Sequence, residues 1–501
     1  MEVPQILVVD LGGQYALLIA RRLHELGVRP VVLAPSAAAS WLAANRPKGI
    51  ILSGGWASVN DAALPQIPDS ILEARVPVLG ICLGMHWLAK QLGGVVESSA
   101  MHSEYGIREF MRTVKTDPLF KGISEKIWVR VSHGDSVTVL PKQAHRTGST
   151  PDCPIAGFSI PERGIFAVQF HPETTDSECG PQIFANFLEI CGAVCDWNPV
   201  SMIDEIRHEV VSVLPPKVPV IHLFSGGIDS TVVAAMFSPI LQERLRCISF
   251  NTGACEDQKN ILRSAVAAKC PLSNIDVSHE FFAALTGLTD AAEKRLAFHR
   301  EYDKQVKKIK CEYKTSLVMQ GTIATDLIET GQRGEAAEIK RHHNVGVDSI
   351  QPLCNLFKDE VRELARTLGL PAWLSELMSF PGPGYFVRII GLPITRKRVN
   401  LVRWADIMTR GILSDAGILS EITQLIVALT VKTTGVKGDG RKYGYTIVVH
   451  AVQSVDYMTG LGYEIPSLIR RRIKDALTQH PEIVRVWFDE MDKPPATFEL
   501  E

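Results

Sequence analysis

The sequence predicts an α/β protein: two doubly wound parallel-sheet domains, at residues 1–195 and 196–385, followed by an α+β domain at 386–501. Three observations predict it. Between residues 5 and 81, short apolar runs (ILVVD, VRPVVL, GIILSGG, PVLGI) alternate with helical patterns, the rhythm of a parallel sheet covered by helices. The same rhythm restarts at 221 with IHLF, CISF and LVMQG, after the paired prolines Pro215 and Pro216 that mark entry into a second domain. Beyond Gly384 the character changes: VRIIG, YTIVVHAV and VRVWFDEM look like strands, interleaved with helical patterns at 396–410 and 466–479.

A chain of 501 residues with a formal charge of −2 and no long basic run suits small-molecule partners rather than nucleic acid. The opening MEVPQILVVDLGGQ has no basic n-region and carries a charge and Gly-Gly within its apolar run, so neither a signal peptide nor a membrane span is expected. The ten cysteines are scattered without a C-x-x-C pair, which fits a reducing cytoplasm. Cys191 and Cys195, four apart near a helix end, read as packing residues.

In the first domain a helix is expected at 15–26, after the first strand. The fourth apolar run ends in GICLGMHWLAKQLGG, which puts Cys82 between Gly80 and Gly84 at a strand-to-helix turn, the geometry of a nucleophile elbow. A thiol of pKa about 8.5 is only slightly ionised at neutral pH, so its position at a helix N-terminus matters. Downstream, IFAVQFHPE supplies a base: His171 follows a strand, and Glu173 can hold the imidazole in its useful tautomer.

These segments resemble the class I glutamine amidotransferases. The resemblance implies glutamine as substrate, Cys82, His171 and Glu173 as a catalytic triad, and the backbone amides of Gly55 (in SGG, 53–55) and Leu83 as the oxyanion hole. SHGD at 132–135 is a further shared segment. Two residues depart from the family pattern: His86 stands where a glutamine-contacting Gln is usual, and Trp56 follows SGG in place of Pro.

The second domain is organised around IHLFSGGIDS at 221–230, a buried strand running into two glycines and then a helix with Asp229 and Ser230 in its first turn. Small residues there let backbone amides converge on an anion, and the helix dipole favours it. The stretch lacks the Lys-Ser/Thr ending of a Walker loop, so it is a different phosphate cradle. Asn251, Thr252 and Gly253 close one neighbouring strand, and Gly321, Thr322 and Asp326 follow another, converging on the same crevice.

SGGIDS resembles the pyrophosphate loop of enzymes that split ATP into AMP and pyrophosphate. Together with the first domain it is similar, over essentially the whole chain, to the GMP synthase family of glutamine-hydrolysing bacterial type. QGTIATDLIETG, IKRHHNVG, LFKDEVRELARTLGLP, FPGPG, GVKGDGRKYGY and KPPATFELE carry that resemblance in order. It implies a carbon–nitrogen ligase that adenylates the carbonyl of xanthosine monophosphate (XMP) and replaces it with ammonia, giving GMP, AMP and pyrophosphate. ATP would lie against Ser225, Gly226, Gly227, Asp229, Ser230, Gly321 and Asp326. Mg²⁺ would contact Asp229, with Lys340, His342 and His343 in a lid. Gln424, Lys493 and Glu499 would bind the acceptor, and the last domain would form a homodimer. Ammonia must arrive unprotonated, so shielding between its two sites is expected.

Departures gather near the implied acceptor site: Leu377 and Ser379 where Arg and Pro are usual before FPGPG, His450 for Arg, Leu500 in the terminal FELE for Trp, and Asn251 for Asp. An Arg at 377 would clamp phosphate through a planar fork that Leu cannot replace, a loss of roughly 1.5–3 kcal/mol. Two alternatives to XMP amination follow: a specialised relative acting on another purine-like or heterocyclic carbonyl, and a catalytically inactive regulator, the latter disfavoured by the complete Cys-His-Glu set and SGGIDS.

Overall fold

The computed structural model describes residues 4–13, 15–61, 64, 66–98, 103–255, 258–329, 342–344, 347–378, 380–454, 460–493 and 496–501, without the side chains of 327–329, 342–344, 347 and 348. Two compact units are present, one built on residues 4–205 and the other on 206–326 with the chain from 342 onward.

In the first unit five strands run parallel, in the order Pro30–Leu33, Ile6–Val9, Gly49–Leu52, Val78–Ile81, Ile165–Val168. Successive residues of a strand point to opposite faces. Ile6 and Val8 accordingly pack with Ile19, Leu23, Phe184 and Phe187 of the helices Ala16–Glu25 and Gly180–Cys191. Leu7 and Val9 pack on the other side with Met85 and Leu88 of the helix Leu83–Gln91. Helices on both faces leave no wet side, which is why the strands read as unbroken apolar runs.

Beyond Ile165–Val168 the sheet turns antiparallel through Gly157–Ile160, His145–Ser149, Glu104–Arg112 and Lys126–His133. The run-counting that finds parallel strands passes over this half. Lys126–His133 alternates wet and buried positions, the signature of a strand with one face on the core.

The second unit has the parallel order Leu272–Asp276, Leu245–Asn251, Val220–Leu223, Val318–Met319, Val347–Ile350, with His342–Asn344 antiparallel at the edge. Val220–Leu223 lies where the strand order reverses, so its carboxyl end opens into the crevice where ligands bind such sheets. The helix that follows spans Ile228–Leu241, longer than the apolar stretch at 231–237 suggests.

The same unit continues into the hairpin Gln424–Lys437 and Gly440–Gln453, the parallel strand Ile483–Asp489, and the helices Arg396–Asp415 and Ser467–Thr478. One expectation fails here: VRIIG is not a strand. Its first two residues lie in the 3-10 turn Gly384–Arg388, and Ile389 makes a single bridge to Leu429. All five residues of that turn are buried, so it is packed on every side and has no solvent-facing ladder. Ile221 and Phe281, before residue 385, share one hydrophobic core with Ile389, Val402 and Ile447 after it. No helix among the described residues is long and apolar enough to cross a membrane.

Candidate active site

The thiol site is set by backbone strain. Cys82 follows the buried strand Val78–Ile81 and has φ 50° and ψ −106°, a conformation that side-chain-bearing residues rarely hold unless their surroundings impose it. The flanking glycines make the turn possible. A Cβ on Gly80 would lie 2.7 Å from the Gly84 carbonyl oxygen, and one on Gly84 would lie 2.5 Å from that of Leu52. Leu83 opens the helix, so its N–H is among the first-turn amides without an intrahelical acceptor.

Strand pairing delivers the base. Val168 is in register with Ile81, and the Cys82 N–H donates to the Val168 carbonyl at 2.9 Å, which places the chain leaving that strand beside the elbow. His171 Nδ1 lies 2.8 Å from Glu173 Oε1, and the ring stands beside the Cys82 side chain. Burial lowers the proton affinity of His171, but the Glu173 charge, the Cys82 side chain and the Glu173 hydrogen bond outweigh it, holding its pKa well above the ordinary value. Such a ring can take and keep a thiol proton.

Gly54 closes the site from a third strand: a Cβ there would lie 2.8 Å from His171 Cε1 and 3.6 Å from Cys82 Cβ. Gly55 is packed against Leu11 and Leu83. His86 is buried, with Nε2 2.7 Å from Gln169 Oε1. Burial, assisted by the charge of His133 and opposed by the Gln169 hydrogen bond and Asp135, lowers its pKa to about 4.

The phosphate cradle stands on Val220–Leu223. Gly226 has φ 82°, and a Cβ on it would lie 2.8 Å from Ile261 Cα. The Gly227 carbonyl accepts from Ser230 Oγ at 3.1 Å and Thr231 Oγ1 at 2.7 Å, and Ser225 Oγ sits 3.1 Å from Ser230 Oγ. Gly321 passes so close that a Cβ would lie 2.8 Å from Ser230 N. Asp326 Oδ2 accepts from Ile323 N at 3.0 Å, which ties the loop after the next strand into a turn.

Two residues here escaped sequence reading. Lys358 Nζ donates to Asp229 Oδ2 at 2.6 Å from a nearly buried side chain, while Asp229 Oδ1 is buried with no hydrogen-bond partner among the described residues. His222, fully buried beneath the loop, has Nε2 2.8 Å from the Ser230 carbonyl and Nδ1 3.2 Å from that of Met319. LFKDEVR held the signal for Lys358, a lysine in the first turn of a helix whose opposite stripe is apolar. His222 inside a strand that is otherwise apolar gave none. Lys340 and the side chains of His342 and His343 lie outside the described residues, as does Ser379.

The expected acceptor residues all lie in the second unit. Gln424 is buried at the start of its strand. The Lys493 ammonium lies 4.2 Å from the centre of the Phe498 ring. Both Glu499 carboxylate oxygens face the fully buried Arg388, at 2.9 Å from Nη2 and 3.2 Å from Nε. His450 is buried with Nδ1 3.1 Å from the Asp489 carbonyl, and Asn251 Oδ1 accepts from Gly253 N at 3.1 Å.

Three family models match the chain: glutamine amidotransferase class-I over residues 7–191, NAD synthase over 201–377, and the GMP synthase C terminal domain over 412–500. Fold and matches together define a class I amidotransferase unit joined to a pyrophosphate-loop synthetase unit. Curated relatives run end to end with it. Proteins named GMP synthase [glutamine-hydrolyzing] are 36% identical in Streptomyces coelicolor (99% of this chain, 98% of that one) and 37% identical in Thermus thermophilus (99% and 100%). The Aeropyrum pernix protein of that name is 37% identical over 100% of this chain and 99% of its own. The chain belongs to the glutamine-hydrolysing GMP synthase family.

Proposed function

We propose that this protein is an ATP-dependent carbon–nitrogen ligase that hydrolyses glutamine and aminates XMP to GMP, releasing AMP and pyrophosphate. The observation that carries the reading is the Cys82 elbow with the His171–Glu173 pair beside it, on a chain that also holds a non-Walker phosphate loop.

In the first unit His171 takes the Cys82 proton, and the thiolate attacks the glutamine side-chain amide. The Gly55 and Leu83 amides receive the oxyanion, worth about 3–4 kcal/mol per donor in comparable sites. The His171 proton then passes to the departing ammonia, leaving a thioester for water to cleave. Glu173 keeps Nδ1 engaged, so the ring works through its other nitrogen.

In the second unit Ser225, Gly226, Gly227 and Ser230 face the pyrophosphate of ATP, and Gly321 and Asp326 flank it. Adenylation turns a purine carbonyl oxygen into a leaving group. The residues fit a divalent cation: Asp229 has one carboxylate oxygen on the Lys358 ammonium and a second buried without a partner. Asp229 would hold Mg²⁺, which would supply charge neutralisation to the phosphates. Lys340, His342 and His343 are assigned to a lid, and Gln424, Lys493 and Glu499 to the acceptor. Glu499 then acts while held by Arg388. Cytoplasmic residence fits the unpaired cysteines.

Purified protein given XMP, ATP, Mg²⁺ and glutamine is expected to form GMP and pyrophosphate in equal amounts. Cys82→Ala should abolish glutamate release and glutamine-dependent GMP, yet retain synthesis from ammonium salts within about threefold. Equal loss with both nitrogen sources would overturn the two-site scheme. A second reading, amination of another purine-like carbonyl, draws on Leu377, a half-buried apolar side chain where the family resemblance expects a phosphate-clamping Arg. Pyrophosphate release with another base or nucleoside, and none with XMP, would select it.

A further inference from the structure

Behind the thiol lies a buried polar cluster that the scheme above leaves unused. Glu104 and His133 are register partners at the meeting ends of two antiparallel strands, and both side chains are buried. His133 Nε2 is 3.3 Å from Glu104 Oε2, and His133 Nδ1 is 2.9 Å from the Asp135 carbonyl. Thr150 Oγ1 donates to Glu104 Oε2 at 2.6 Å, the Asp152 N–H approaches Glu104 Oε1 at 3.4 Å, and Arg108 Nε is 3.9 Å from the same oxygen. Burial pushes the Glu104 carboxyl up, but the hydrogen bonds from His133 and Thr150, the His133 charge and the Asp152 N–H prevail and hold it below its usual value.

The cluster controls one segment, residues 132–135. Ser132, next to His133, presents its carbonyl 3.7 Å from Cys82 Sγ, the distance of a thiol hydrogen bond. Asp135, at the far end, is anchored by Ser58 Oγ at 2.5 Å, five residues past Ser53 of the SGG turn. A carbonyl aimed at a nucleophilic sulfur does not help form the thiolate. It does suit a substrate N–H arriving at that sulfur, as an amide nitrogen or an ammonium does.

We propose that Glu104 and His133 are positioning residues for glutamine: their buried pair fixes the 132–135 segment so that the Ser132 carbonyl accepts an N–H of the substrate beside Cys82. This rests on the thiol site acting on glutamine. His133 reaches across the bend to Asp135, so the segment cannot move without breaking a buried hydrogen bond. Glu104 keeps the imidazole from turning. Cys153 completes the cluster, within 4.8 Å of both partners at its ligand atom, but its thiol donates to the Ile155 carbonyl at 3.5 Å. Burial and the Glu104 charge push that thiol up to about 12, so it stays protonated in this arrangement.

The test measures glutamate release by the full-length protein and by Glu104→Gln and Thr150→Val. Glu104→Gln is expected to raise the KM for glutamine at least tenfold with kcat within threefold. Thr150→Val, which removes one anchor from the carboxylate, should move KM the same way by two- to fivefold. Thermal melts and ammonia-dependent product formation check that each variant is folded. A Glu104→Gln protein with a lower melting temperature and an unchanged KM would reduce the pair to a structural role and overturn the proposal. One equivalent of zinc in the purified protein, lost in Glu104→Gln and in Cys153→Ser, would overturn it in favour of a metal site. No glutamate release from the unaltered protein would remove the glutamine reading itself, a result distinct from normal release with an unmoved KM.

Discussion

His86 shows how one buried side chain links chemistry to stability. Its pKa is about 4 in the folded protein against 6.5 for an unperturbed imidazole. Between these values the unfolded chain binds more protons, so stability rises with pH through the window. The contribution is complete above 6.5 and is lost as pH falls toward 4. Going from pH 7 to pH 5 should cost about 2 kcal/mol from this group alone. His86→Gln, which removes the titration, is expected to shrink the drop in melting temperature over that interval by roughly 4–8 °C. An unchanged drop would show that His86 is solvated. At this scale the sequence was informative where chemistry and turn geometry coincide: Cys82, His171 and Gly226 could be chosen from their flanking residues. The pairings of Lys358 with Asp229 and of Glu104 with His133 could not, because the partners are 129 and 29 residues apart and only the fold brings them together.

Among the elements, the pyrophosphate loop depends on close backbone approach. A methyl on Gly226 would meet the backbone of the helix Gln258–Ala267 at a positive φ, combining left-handed strain of about 1–2 kcal/mol with overpacking of similar size. Gly226→Ala should therefore reduce ATP-dependent pyrophosphate release at least tenfold and leave glutamate release intact. Unimpaired pyrophosphate release would remove the loop from the phosphate site. The parallel strands of the first sheet, and Val220–Leu223, Leu245–Asn251 and Val318–Met319 of the second, were readable because helices on both faces demand apolar runs; Leu272–Asp276, largely exposed, and Val347–Ile350 were not. The antiparallel half of the first sheet was not, since one-sided strands carry polar residues at every other position. VRIIG misled for a related reason: apolar residues around a buried Arg388 serve all-round packing, which looks like a strand in one dimension.

For the whole molecule, the α+β region shares its core with the synthetase sheet, so a break at 385 would cut through packed residues such as Phe282 and Phe386, whose ring centres are 5.2 Å apart. The region carries exposed apolar side chains at Val431, Val436, Tyr443, Leu461 and Trp487, on both sides of its sheet. We expect a homodimer through this region in sedimentation equilibrium, and Trp487→Glu to weaken it at least tenfold; a monomer at micromolar concentration would sink the assignment. By itself the sequence determined the parallel strand runs and pointed to a candidate nucleophile and a candidate phosphate loop, because these depend on local turns, caps and periodicity within about ten residues. Only the tertiary structure decided which carboxylate meets which cation. Glu499, expected at the acceptor, lies bidentate on Arg388, and Asp229 shares its charge with Lys358. The physical reason is desolvation: a buried charge must find an opposite partner, and the partner it finds is set by packing between segments far apart in the chain.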